Sequence, residues 1–173
     1  IDLTNPRGIA IDRQGNVLIT DDHRVQVFGP SGQFLYSWGS PGRSDGQFNE
    51  PARLALDSQN NVYVADSGNN RIQVFDQSGM YLSQWGNEGA LNGEFNCPYG
   101  LAVDSNDNVY VADFGNHRIQ VFRPDGTYQC KWGSHGDGDG QFQSPWLVRL
   151  DSYYNVYVIN KYLNTTQMFR RIQ

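Results

Sequence analysis

A unit of 47 residues is repeated along this chain, and the repeat limits the possible folds more than any other feature. The pattern is clearest at Pro51, Pro98 and Pro145, which follow one another at intervals of 47 residues. An earlier copy begins at Pro6 and is two residues shorter, and the last copy stops after Phe169. A fixed period of this length indicates one supersecondary unit that is used several times and stacks on its own neighbours.

Each unit contains four short apolar runs, and their spacing predicts β-strands. The runs are rich in Val, Ile, Tyr and Phe, and turn residues such as Pro124-Asp125-Gly126 separate them. In the third copy the runs are residues 101–103, 108–112, 118–122 and 127–132. This spacing leaves no room for a helix and predicts four antiparallel strands per unit. Such units are typical of β-propeller blades, which are apolar on both faces because each blade is covered by its neighbours.

The longest repeated motif resembles the NHL-repeat family. The motif is Asn-Val-Tyr-Val-Ala-Asp-Phe-Gly-Asn-His-Arg-Ile-Gln-Val-Phe at residues 108–122, and the tract that names the family reads Asn116-His117-Arg118 here. The resemblance covers essentially the whole chain and implies an all-β propeller of four-stranded antiparallel blades, most often six of them. We therefore expect a single NHL-type domain over residues 1–173, with blades at about 6–50, 51–97, 98–144 and 145–173.

The number of blades differs from the number that the resemblance implies. About four blades are present, and the last is incomplete. We expect part of a larger, six-bladed type of propeller or an open arc, with a small four-bladed ring and an oligomeric ring as alternatives. An open arc would leave blade faces and edges uncovered, which favours self-association through those edges.

Charge and cysteine content restrict the classes of partner. The net charge is −5, which disfavours binding to the phosphates of RNA. No apolar run is long enough to cross a membrane, so we expect no membrane partner. Cys97 and Cys130 are expected on strands too far apart for a disulfide, and two unpaired thiols favour a reducing, cytoplasmic compartment.

An Asp-x-Gly-Asn-x-Arg motif spans the turn between the second and third strands of a unit. A carboxylate and a guanidinium can bracket a tight turn with charge-assisted hydrogen bonds. Because the motif recurs between copies, we assign it to blade structure rather than to catalysis. The fourth copy has Asn160 and Thr165 at these positions, which predicts a looser turn. The structural turn pairs are Asp66 with Arg71 and Asp113 with Arg118.

No arrangement of residues typical of a catalytic or metal site is found in the sequence. The three histidines lack His-x-x-His spacing, and the cysteines lack Cys-x-x-Cys spacing. The Gly-Asp run at residues 136–140 lacks the ligand spacing of an EF-hand. The inner strands, expected to start at about Gly8 and Leu54 in the first two copies, carry only Arg149 as a charged residue. We therefore expect no enzyme activity, no metal and no cofactor.

The residues that depart from the repeat collect on one expected rim of the propeller. The connector into each first strand and the turn after each second strand open on this rim. Arginine and aromatic side chains dominate protein-binding hot spots and also stack on unpaired bases. The candidate binding residues on the rim are Arg7, Arg53, Tyr99, Phe114 and Trp146.

Three functions from different classes are compatible with these features. The favoured one is a non-catalytic interaction scaffold that binds a protein or peptide through the rim. The alternative is binding of single-stranded RNA, which the resemblance implies because NHL domains of tripartite-motif proteins do so. A metal-dependent hydrolase or lyase of the propeller-channel type is disfavoured by the apolar inner strands.

Overall fold

Four antiparallel sheets make up the computed structural model, which describes residues 2–170. The first contains β1 (Pro6–Ile11), β2 (Val17–Asp21), β3 (Arg24–Phe28) and β4 (Phe34–Trp38). The second contains β5 (Pro51–Leu56), β6 (Val62–Asp66), β7 (Arg71–Phe75) and β8 (Tyr81–Trp85). The third contains β9 (Pro98–Val103), β10 (Val109–Asp113), β11 (Arg118–Phe122) and β12 (Tyr128–Trp132). The fourth contains β13 (Pro145–Leu150), β14 (Val156–Asn160) and β15 (Thr165–Phe169).

Each sheet is a meander in which consecutive strands pair, so each repeat forms one blade. Short turns enforce this order, because Asp and Asn side chains can close a turn on their own backbone. Asp57, for example, accepts hydrogen bonds from the backbone N–H groups of Gln59 and Asn61 between β5 and β6. The prediction of an all-β propeller with four-stranded blades is confirmed, and the fourth blade has three strands within the described residues.

The core lies between neighbouring blades rather than within one sheet. Phe48 and Phe75 are fully buried with ring centroids 5.5 Å apart, and Phe95 and Phe122 repeat the same arrangement at 5.5 Å. In each pair one ring comes from a connector and the other from a third strand. Each connector therefore inserts a phenylalanine between two blades, which explains why the repeat keeps an aromatic residue there.

The blades are arranged in an open arc. β1 packs beside β5, β5 beside β9, and β9 beside β13, whereas no comparable packing joins β13 to β1 within the described residues. Ile9 on β1 is 56% exposed, while Leu54 and Leu101 at the same repeat position are 2% and 0% exposed. The difference arises because Leu54 and Leu101 face a preceding blade and Ile9 does not.

The first strands of the first three blades begin earlier than the sequence predicted, and in the third blade β9 begins at Pro98 rather than at residue 101. β5 pairs Pro51 with Asp66 and then Leu54 with Val64, so a bulge carries the strand through Arg53. β1 includes Arg7 in the same way. The prediction that Arg149 is the one charged residue on the inner strands is therefore wrong, because a strand pattern read from alternation stops at the bulge.

Helical structure in residues 2–170 consists of two single 3-10 turns, Ser67–Asn69 and Phe114–Asn116. No helix in this part of the chain has the length and apolar character that a membrane span requires.

Candidate binding rim and channel mouth

A buried carboxylate organises the rim turn of the second blade. The Asp66 side chain accepts the backbone N–H of Asn49 at 2.8 Å and the Nε–H of Arg71 at 2.7 Å. Arg71 also donates to the backbone carbonyl of Gln47 at 2.9 Å. The pair therefore ties the turn to the connector that enters the blade. Asp113 and Arg118 make the same contact at 2.7 Å in the third blade.

The fourth blade closes the same turn with neutral side chains. Asn160 accepts the N–H of Gln143 at 3.2 Å and donates to the Thr165 hydroxyl at 3.3 Å. Neutral hydrogen bonds are weaker than charge-assisted ones, and these are also longer. The residues of this turn project Lys161 and Tyr162 onto the rim, where both are exposed.

An aromatic surface joins the third and fourth blades on this rim. The rings of Tyr99 and Trp146 stack with centroids 3.9 Å apart and an interplanar angle of 22°. Phe114 lies 6.4 Å from the Tyr99 ring and 6.3 Å from the Trp146 ring. Tyr162 continues the surface at 6.3 Å from Phe114 and is 63% exposed. We call these four residues the aromatic surface.

Lys161 places a cation on the aromatic surface. Its Nζ lies 4.3 Å from the ring centroid of Trp146 and 5.7 Å from those of Phe114 and Tyr162, within cation–π range. Sequence reasoning missed Lys161 and Tyr162 because the Asp-to-Arg motif is lost in the fourth copy. Their position in the turn after the second strand was the available signal.

Three arginines lie on the inner strands beside the aromatic surface, and they differ in their partners. Arg7 forms an ion pair with Glu50 at 3.1 Å. Within residues 2–170, neither Arg53 nor Arg149 has a carboxylate at ion-pair distance. The Nε of Arg53 is buried and has no hydrogen-bond partner. Arg149 donates from Nη1 to the backbone carbonyl of Leu101 at 3.0 Å.

The charges of the arginines act on one another and on Tyr99. Burial lowers the pKa of the Arg149 guanidinium, and the positive charge of Arg53 lowers it further. Burial raises the pKa of the Tyr99 hydroxyl, while the charges of Arg7 and Arg53 oppose that rise. The structure thus brings the five sequence-selected residues onto one rim: ring contacts link Tyr99, Phe114 and Trp146, and electrostatic interactions link Tyr99 to Arg7 and Arg53.

A groove of about 270 Å³ runs along the inner strands. Small and aliphatic side chains line it, among them Ala10, Ala55 and Ala102, and Arg149 is the charged residue in the lining. The groove and the unpaired arginines together form what we call the channel mouth. This surface offers apolar contacts next to positive charge.

Two histidines meet on the same rim at the boundary of the third and fourth blades. The rings of His117 and His135 are 4.6 Å apart, and Nδ1 of His117 accepts the N–H of Ser144 at 3.0 Å. Burial lowers the pKa of His117, and His135 lowers it further. Asn70 plays the corresponding part in the second blade, where its Oδ1 accepts the N–H of Cys97 at 2.7 Å.

The remaining groups with reactive side chains do not form a constellation. Cys97 and Cys130 are both free, and partial burial raises the pKa of each thiol. Among residues 2–170, no group of three or more His, Cys, Asp or Glu side chains could hold a metal ion.

Comparison of the sequence with known proteins identifies its repeats. The model of the NHL repeat family matches residues 48–75 and 95–122, which belong to the second and third blades. Protein brain tumor of Drosophila melanogaster is 34% identical over 55 residues, which make up 31% of this chain and 5% of that protein.

Solved structures share the blade architecture at low sequence identity. Virginiamycin B lyase from Staphylococcus aureus is 17% identical, with a TM-score of 0.68 over 97% of this chain and 56% of its own. Kuenenia stuttgartiensis hydrazine synthase is 15% identical, with a TM-score of 0.68 over 98% of this chain and 51% of its own. At such identities the likeness shows the fold alone. The chain spans about half the length of these structures.

Proposed function

The chain belongs to the NHL-repeat β-propellers, and we propose that it is a non-catalytic interaction scaffold that binds a protein or peptide through the rim described above. The observation that carries the proposal is the stacked aromatic surface beside arginines that have no acidic partner. Rigid aromatic rings and arginines contribute most of the binding energy in protein interfaces. No other part of the described rim combines the two residue types.

Cations next to the aromatic surface support this choice of rim. The turns that open on the opposite rim are closed by aspartates, so that end of the propeller is acidic. The binding rim carries Arg7, Arg53, Arg149 and Lys161, of which Arg7 is neutralised by Glu50. The connectors on the same rim carry carboxylates of their own, such as Glu88 and Asp137, so the positive charge is local to the channel mouth and the aromatic surface. The aspartates that close turns on the opposite rim are Asp12, Asp57, Asp104 and Asp151.

Single-stranded RNA is a second candidate partner. The stack of Tyr99 on Trp146 is the observation that favours it, because bases stack on aromatic rings and phosphates pair with neighbouring cations. It ranks second because the rim has few unpaired cations and no track of them that could follow a phosphate backbone.

A cross-linking experiment tests the scaffold proposal. The double variant Tyr99→Ala/Trp146→Ala and the wild type would be cross-linked to interacting proteins, which are identified by mass spectrometry. Tyr153→Ala is the matched control because Tyr153 is 81% exposed and lies on the opposite rim. We expect the double variant to lose partners that the control retains. A folded double variant with the wild-type set of partners would contradict the proposal.

Titration with pooled single-stranded RNA at increasing salt separates the two candidates. Binding through phosphates weakens steeply with salt. Strong, salt-dependent RNA binding that requires Tyr99 and Trp146 would favour RNA over the scaffold function.

A further inference from the structure

Arg53 and Arg149 occupy positions where the other blades have small or apolar residues. The residues equivalent to Arg53 are Gly8, Gly100 and Leu147, and those equivalent to Arg149 are Ala10, Ala55 and Ala102. Blade construction therefore does not require either arginine.

Neither guanidinium group has a carboxylate at ion-pair distance within residues 2–170. The Nε of Arg53 is buried without an acceptor, and the hydrogen bonds of Arg149 go to backbone carbonyls. Glu50, which lies on this rim, is already paired with Arg7 at 3.1 Å. Two positive charges that act on each other, each without a carboxylate at ion-pair distance among the described residues, are favourable for binding an anion.

The surroundings of the two arginines select the kind of anion. The groove beside Arg149 is lined by aliphatic side chains such as Ala55 and Ala102, which suits a carboxylate attached to apolar residues. The planar guanidinium matches a carboxylate with two parallel hydrogen bonds. A ribose-phosphate chain would instead place polar groups against an apolar groove and would need more cations along its path.

We propose that Arg53 and Arg149 bind the carboxylate of an Asp or Glu side chain in a peptide segment that lies across the aromatic surface. The assignment rests on the proposed function, since it identifies the class of peptide that the rim takes. The charge complementarity of the two unpaired guanidinium groups commits the site to an acidic partner. The apolar groove accepts an aliphatic side chain next to the acid.

Fluorescence anisotropy with four labelled probes tests this assignment. The first probe is a pool of short peptides with one internal Glu flanked by leucine and an aromatic residue. The second pool replaces that Glu with Gln, and the third has its carboxylate at the C-terminus instead. The fourth probe is oligouridine. Each probe is titrated against the wild type and the variants at low salt.

Each of the two test variants replaces an arginine with the residue found at the equivalent position of other blades. Arg53→Gly and Arg149→Ala each restore the residue that other blades carry, so both are expected to fold. Arg123→Ala removes the same charge from an exposed arginine on the opposite rim and serves as the control. We expect the wild type and the control to bind the Glu pool about tenfold or more tightly than the Gln pool. Either restoring variant is expected to abolish that preference.

The outcomes distinguish the site from the function on which it rests. Equal binding of the Glu and Gln pools that still requires Tyr99 and Trp146 would overturn the carboxylate site and leave the scaffold function intact. Binding of neither pool would overturn both. A preference for the C-terminal carboxylate would overturn the side-chain assignment, and oligouridine binding lost in Arg53→Gly would assign the arginines to phosphate instead.

Discussion

In the second and third blades a buried carboxylate closes the turn after the second strand, whereas in the fourth blade an amide closes the same turn. Asp66 holds Arg71 at 2.7 Å, while Asn160 reaches Thr165 at 3.3 Å. Both versions bond the turn to the connector, but the charged one adds a buried arginine, Arg71, which donates to the carbonyl of Gln47. The neutral version leaves Lys161 free to rest on the aromatic surface. Positions that keep the repeat hold the blades together, and positions that break it form the surface that we propose binds a partner.

The largest expected change in the free energy of unfolding comes from replacing the carboxylate of the second blade's turn with the amide that the fourth blade carries. Asp66→Asn leaves the buried Arg71 without its carboxylate, and breaking a buried ion pair in this way costs about 3–5 kcal/mol. Asn160→Ala removes neutral hydrogen bonds and is expected to cost about 1 kcal/mol. Urea unfolding of both variants measures the difference. Equal losses of unfolding free energy in the two variants would show that the two turns contribute equally to stability.

The covered and uncovered faces of the inner strands provide a second test. Leu54→Ala opens a cavity between the first two blades and is expected to cost about 2–5 kcal/mol. Ile9→Ala changes a side chain that is 56% exposed, and its cost is expected to stay below about 1 kcal/mol.

Unfolding midpoints measured at several protein concentrations check this comparison. If Ile9→Ala loses much stability and the loss depends on protein concentration, another copy of the chain covers the first blade in solution. A large loss at every concentration would contradict the open arc as described.

The smallest expected effect concerns His117 and its counterpart Asn70. The pKa of His117 lies below its ordinary value of 6.5 because burial, and then His135, disfavour the charged form. The unfolded chain therefore binds a proton at this residue before the folded chain does. This contribution to stability is complete above about pH 6.5 and is lost as the pH falls through the lowered pKa.

His117→Asn supplies the acceptor that the second blade uses at Asn70, without a titrating group. We expect the variant to lose less stability than the wild type between about pH 7.5 and about pH 5, measured by urea unfolding at each pH. Identical pH dependence in the two proteins would show that the contact of His117 with Ser144 does not depend on its protonation.

Sequence reasoning was most successful where a residue recurs. The period predicted four strands per unit because alternation and turn residues are local properties, and the Asp-to-Arg spacing predicted which side chains flank a turn. The strand limits failed at Arg7 and Arg53, because a bulge interrupts the alternation there. The rim residues of the fourth blade, Lys161 and Tyr162, were missed because the motif that would align them has been lost.

The sequence by itself determined the blade, its strand order and the rim on which each turn opens, because short connections leave one way to pair consecutive strands. Only the tertiary structure decided which residues from different blades meet. Tyr99 stacks on Trp146, and the charge of Arg53 acts on Arg149, because the blades pack side by side along the inner strands. Those contacts join residues one or two repeats apart, a separation at which spacing along the chain carries no information about distance in space.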